Sequence, residues 1–128
     1  MSRLIAIIDD DEAMQDSLRD LMEAAGLVAR CFGSAEEFLE SDSRTRVACL
    51  IVDIRMPKMS GLQLQARLKE EECNIPIIFI TAHGDARMRI RAMREGAVEF
   101  VWATCSTWSR TDSRAALLPM MRSNVRSA

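Results

Sequence analysis

The chain has little of what usually announces a function. Its four cysteines, Cys31, Cys49, Cys73 and Cys105, are far apart and form no C-x-x-C pair. That argues against a zinc site and for free thiols in a reducing cytosol. The single histidine, His83, falls on a loop, where a lone imidazole is more often a surface residue than a general base. No apolar stretch approaches the roughly 20 residues of a membrane span. The first apolar run stops at Ile8 in a row of acids, so no signal peptide is expected. A net charge of −2 is too mild to argue for nucleic acid or an anionic membrane as a partner. These absences leave a cytoplasmic protein with no direct nucleic-acid contact.

What is present points to a single domain. At 128 residues, with 48% hydrophobic and 28% charged side chains, the chain can bury a real core and stay globular. Its charge is uneven: residues 1–60 hold twelve acids and seven bases, whereas 101–128 hold one acid and four bases. The front is therefore acidic and the tail basic. Much of that acidity sits where the first apolar runs end.

Apolar runs alternate with helical spacing along the chain. Residues 3–8 read as a first strand. Met14, Leu18, Leu21, Met22 and Ala25 follow on one helical face, with Gly26 as a stop. Residues 27–32 read as a short second strand. Ser34-Ala35-Glu36-Glu37 is a capping-box pattern ahead of Phe38 and Leu39. The run 47–53 has the length and composition of a buried parallel strand. Leu62, Leu64, Ala66 and Leu68 carry a third helix into Glu70-Glu71-Glu72. Residues 75–80 form strand four, with Pro76 tolerable at its start. Asp85 can cap a helix bearing Ile90 and Met93 that ends at Gly96, and 97–101 make a fifth strand. Strict alternation with short loops implies an α/β fold with a doubly wound, five-stranded parallel sheet. In the flavodoxin-like order 2-1-3-4-5, strands one and three are neighbours at the switch point where ligands bind.

Two strands thus end in carboxylates beside one another. Asp9-Asp10-Asp11-Glu12 follows the first, and Asp53 ends the third, ahead of Ile54-Arg55-Met56-Pro57-Lys58-Met59-Ser60-Gly61. Asp9, Asp10 and Asp53 converge in this order, with Thr81 beside them. Such a cluster repels itself unless it takes up protons or a cation. Hard oxygen ligands with room for water and phosphate favour Mg²⁺, and a carboxylate beside it could attack a phosphoryl group. Solvated acids capping helices are the competing reading, since Asp is common at helix N-termini. A Mg²⁺-dependent phosphatase with an aspartyl nucleophile usually places a second Asp two residues on, where this chain has Arg55. A flavin or dinucleotide site lacks its glycine-rich loop after strand one. The nine methionines look like core filler.

The chain resembles the receiver domain of two-component response regulators, of the FixJ type. The matching residues are Asp9-Asp10, Asp53 through Gly61, Ile80-Thr81-Ala82-His83-Gly84-Asp85 and Gly96-Ala97-Val98-Glu99-Phe100. The resemblance covers about 3–101. It implies that Asp53 is the phosphoacceptor, and that Asp10 and Asp53 bind Mg²⁺ with the backbone carbonyl of Arg55 and help from Asp9. It further implies that Thr81 bonds the phosphoryl group and that Phe100 is an aromatic switch. The partner would be a sensor histidine kinase. The chain would be a phosphoacceptor rather than an enzyme, limited to self-phosphorylation from small donors and autodephosphorylation.

The pattern breaks after Phe100. The family places Lys-Pro three and four residues on, where this chain has Ala103 and Thr104. The lost lysine would supply a cation to the phosphoryl group, so switching is expected to be impaired. A receiver-like interaction module that works without phosphorylation is the alternative. We divide the chain into a receiver domain, 1–103, and a divergent tail, 104–128. The tail shows no amphipathic pattern, and Pro119 interrupts its one apolar turn, so a last helix is doubtful. Reading residues 104–114 two bases later permits a more family-like helix, so a shifted frame is one explanation and genuine divergence another. No DNA-binding helix-turn-helix follows residue 128, and the chain reads as an isolated receiver or a fragment. Without a long apolar stripe in the tail, part of the sheet flank should be exposed or covered otherwise. A homodimer or oligomer joined by that flank or the tail is expected.

Overall fold

The computed structural model describes residues 4–54, 56, 58–81 and 86–102, with backbone alone for residue 81 and for 99–102. Within them five strands alternate with four helices: β1 Leu4–Ile8, α1 Glu12–Ala24, β2 Val28–Phe32, α2 Ala35–Glu40, β3 Val47–Asp53, α3 Gly61–Glu70, β4 Ile77–Thr81, α4 Ala86–Arg94 and β5 Glu99–Trp102. A 3₁₀ turn, Asp42–Thr45, leads into β3. The sheet is parallel throughout, in the order β2-β1-β3-β4-β5. The sequence-based order is therefore the observed one.

Two apolar clusters lie on opposite faces of this sheet, as alternation along each strand demands. On one face Ile5, Ile7, Cys49, Ile51, Ile78 and Ile80 meet Met14, Leu18, Leu21 and Met22 of α1. On the other, Ala6, Ile8, Leu50, Val52 and Phe79 meet Ala35 and Phe38 of α2, Leu64 and Leu68 of α3, and Ala92 of α4. Central β3 is buried from Val47 to Val52 and emerges only at Asp53. A strand covered on both faces needs an unbroken apolar run; its first polar residue marks where cover ends.

Local details depart from the sequence reading in instructive ways. Pro76 lies outside β4, because it has no N–H to give the ladder. Its carbonyl still accepts from the Leu50 amide at 2.9 Å, and the strand runs on to Thr81. The fifth strand likewise starts at Glu99 rather than 97, since the Ala97 amide is taken by the Ala92 carbonyl at 3.0 Å. Only half of the expected capping box forms at α2. Ser34 Oγ accepts from the Glu37 amide, but the Glu37 carboxylate turns to the Gly33 amide instead. A complete box closes α3 instead: Ser60 Oγ accepts from Gln63 N–H at 3.2 Å, and Gln63 Oε1 from Ser60 N–H at 2.9 Å. Ile90, one of the apolar residues read on α4, is 55% exposed, and small Ala92 makes the core contact.

Candidate functional site

The site is built by strand ends. Ile8 pairs with Val52 in the β1–β3 register, so Asp9 leaves β1 beside the point where Asp53 leaves β3. Asp53 in turn pairs with Ile80, one residue short of Thr81. The Ile54 amide donates to the Ile80 carbonyl at 3.1 Å, extending the β3–β4 bonding one step past Asp53.

The run of four N-terminal acids divides its labour. Asp11 caps α1, its carboxylate accepting from the Ala13 amide at 2.9 Å, and Glu12 opens the first turn. The capping reading is thus correct for Asp11. Asp9 and Asp10 lie with Asp53, one carboxylate oxygen of each within 4.8 Å of the others. Asp9 is buried, Asp10 exposed and Asp53 half-buried. The cluster therefore meets solvent at Asp10.

Asp9 bears the cost of this arrangement. Burial pushes its carboxyl from 3.8 up to about 7, and the nearby charges of Asp53, Asp10 and Asp11 push the same way. The Asp11 amide opposes the shift by donating to Asp9 Oδ1 at 2.9 Å. Gln15, one turn into α1, reaches back to donate to the Asp9 carbonyl. Backbone and side chain of Asp9 are both held. A self-repelling set of oxygen ligands, partly removed from water, fits a small hard dication.

Behind Asp53 the chain must pass unusually close. A Cβ on Gly61 would lie 2.8 Å from the Asp53 carbonyl oxygen, 2.9 Å from Ile54 Cα and 2.9 Å from Phe79 Cε1. Glycine is needed here for space, not for an unusual φ. It lets the Gly61 amide donate to the Ile54 carbonyl at 3.1 Å, where α3 starts close against the end of β3. The loop is also tied from α2, where Glu36 Oε1 accepts from the Met59 amide at 3.2 Å.

The structure brings together Asp9, Asp10 and Asp53 of the expected set. Thr81 is placed by its backbone at the end of β4, and Phe100 pairs with Phe79 in the β4–β5 register; their side chains lie outside the described residues. So do Arg55, His83 and Ala103. Sequence reading missed Gln15 and Glu36, polar helix residues whose spacing gives no hint of a distant loop partner. It quoted Gly61 only as part of a motif, without the close approach that requires it.

A family model described as the response regulator receiver domain matches residues 5–106. The chain belongs to the response regulator receiver domain family. The response regulator protein TodT of Pseudomonas putida is 48% identical over 97 residues, which are 76% of this chain and 43% of that protein. The chain therefore spans less than half the length of this curated relative. Among solved structures, the response regulator StyR has a TM-score of 0.83 at 37% identity, covering 98% of this chain and 60% of that one. FixJ-N gives 0.79 at 30% identity over 100% and 99%. Receiver domains act as phosphoacceptors rather than ordinary enzymes, generally bind Mg²⁺ in an acidic pocket, and interact with histidine kinases. Within the described residues of this receiver domain, no helix is long and apolar enough to cross a membrane.

Proposed function

We propose that this receiver domain takes a phosphoryl group from a sensor histidine kinase onto Asp53, in the cytoplasm and with Mg²⁺. The observation that carries the reading is the convergence of the Asp9, Asp10 and Asp53 carboxylates within 4.8 Å at the carboxyl ends of β1 and β3, the switch point of a 2-1-3-4-5 sheet. Asp10 and Asp53 would hold the ion, with the Arg55 carbonyl and with help from Asp9. When bound, Mg²⁺ neutralises charge on the phosphoryl oxygens.

The chain's own residues do the rest. An Asp53 carboxylate oxygen attacks phosphorus in line; a P–O bond forms, the phosphohistidine P–N bond breaks, and the imidazole nitrogen leaves with the electron pair. Half-buried Asp53 is open to the incoming group, and buried Asp9 lies beside it in the same cluster. Thr81, at the end of β4, would bond the phosphoryl oxygens, and Phe100 would report the change. Ala103 in the family's lysine position withdraws a charge-assisted bond, so coupling from the phosphoryl group to Thr81 and Phe100 is weak.

Incubation with acetyl phosphate and Mg²⁺, read by mass spectrometry, should add one phosphoryl group to the wild-type chain and none to Asp53→Asn. Unchanged labelling in that variant would put the acceptor elsewhere. The missing lysine is the observation that favours a second reading, a domain that works through protein contact without phosphorylation. No labelling of the wild-type chain by either the small donor or a kinase would favour it.

A further inference from the structure

We infer that Glu36 is a positioning residue for the loop that follows Asp53. The inference rests on the phosphoacceptor reading for its consequence, but its geometry stands by itself. Glu36 occupies the first turn of α2, where a carboxylate normally serves the helix's own orphan amides. Ser34 takes one of those amides, that of Glu37, and Glu37 turns back to Gly33 ahead of the helix. Glu36 instead reaches 23 residues along the chain to accept from the Met59 amide at 3.2 Å. No cation pairs with it among the described residues.

The other ties on the described residues of this loop are backbone bonds to β4 and α3 or a side-chain bond from the helix it leads into. Ile54 bonds through both backbone groups, to Ile80 and Gly61. Ser60 is held by Gln63 of the helix it begins. Met59 is the one described loop residue held by a side chain from a separate element. Met56 and Met59 are partly buried against the core that Phe38 of α2 helps to form. Apolar contacts set no direction for an amide, whereas a charge-assisted bond to the Met59 N–H does. The loop's backbone follows Asp53 directly, so the bond sets how the chain leaves the acceptor.

Two variants separate the hydrogen bond from simple packing. Glu36→Ala removes the acceptor; Glu36→Gln keeps an acceptor oxygen of the same reach. Amide exchange at Met59 should quicken about tenfold in Glu36→Ala, the scale of a hydrogen bond to a charged group. It should change much less in Glu36→Gln. The Mg²⁺ dissociation constant should rise several-fold, and acetyl phosphate labelling slow by a similar factor, in the alanine variant alone, both read well below a melting temperature that falls by only a few degrees. Unaltered Met59 exchange in Glu36→Ala would overturn the inference. So would faster exchange with unchanged Mg²⁺ affinity, or a glutamine variant as impaired as the alanine one. A wild-type chain that binds Mg²⁺ but takes no phosphoryl group would refute the phosphoacceptor reading; the exchange and Mg²⁺ comparisons would still decide the role of Glu36.

Discussion

At the scale of single residues, Asp9 makes the pocket's electrostatics measurable. Its folded carboxyl titrates near 7 against 3.8 for the unconstrained group. Between those values the folded state holds a proton that the unfolded state has lost. Stability therefore falls as pH rises through this window and levels off above about 7. Over the window the contribution is on the order of a few kcal/mol. Other carboxylates add slopes of their own, so the comparison must be with Asp9→Asn. In chelator, that variant should gain stability relative to wild type as pH rises from about 4 to 7. Mg²⁺ should recover most stability above pH 7, where Asp9 has already released its proton. Denaturant unfolding of both proteins across this range, with and without Mg²⁺, checks the sign; parallel curves would remove Asp9 from the pocket's charge balance. The three carboxylates were legible in the sequence because they follow two apolar runs, Asp9 and Asp10 after the first and Asp53 at the end of the third strand. Their unequal burial was not, since nothing in Asp9-Asp10-Asp11 says which one turns inward.

At the scale of elements, helix endings recur with one variation. After α1, Gly26 N–H meets the Glu23 carbonyl and Leu27 N–H the Met22 carbonyl; after α4, Gly96 meets Met93 and Ala97 meets Ala92. Both glycines have positive φ, +80° and +102°, as this C-cap requires. The end of α3 repeats the same two bonds, Glu72 to Lys69 and Cys73 to Leu68, but with Glu72 at φ +55°. A side chain in the left-handed region costs roughly 1–2 kcal/mol, partly offset by the greater freedom glycine brings to the unfolded chain. Glu72→Gly should thus stabilise the domain by about 0.5–1 kcal/mol. The change should appear as a higher denaturation midpoint with an unchanged slope. A lower midpoint would mean that the Glu72 side chain has a compensating role. The two glycine stops were readable from the sequence. The third was hidden because Glu70-Glu71-Glu72 looks like a continuing, solvated helix. Gln65 was hidden for the converse reason: a polar residue in an amphipathic pattern reads as exposed, yet it is buried and donates to the Ala92 carbonyl at 3.0 Å, joining α3 to α4.

At the scale of the whole molecule, alternation and handedness implied a doubly wound sheet, and the flavodoxin-like order taken for it is the one observed, whereas the cover of its α1 face was not legible. The strand residues on that face, Ile5, Ile7, Cys49, Ile51, Ile78 and Ile80, are all buried. The large exposed apolar residues among those described are Val28, Ile90 and Met93, none from the three central strands. The side chains of β5 and residues 104–128 lie outside the described residues, so the expected contact between copies stays with the β5 side of that flank or with the tail. That segment offers Leu117, Leu118, Met120 and Met121 around Pro119 and no acid after Asp112. An apolar stretch with no helical period has no single face to lay on its own sheet, which favours exchange or pairing between chains. Light scattering of the full chain at high concentration should report a dimer or higher species. Limited proteolysis that removes the segment after Ala103 should change that species. A clean monomer whose residues 104–128 resist protease would show instead that the tail packs on its own domain.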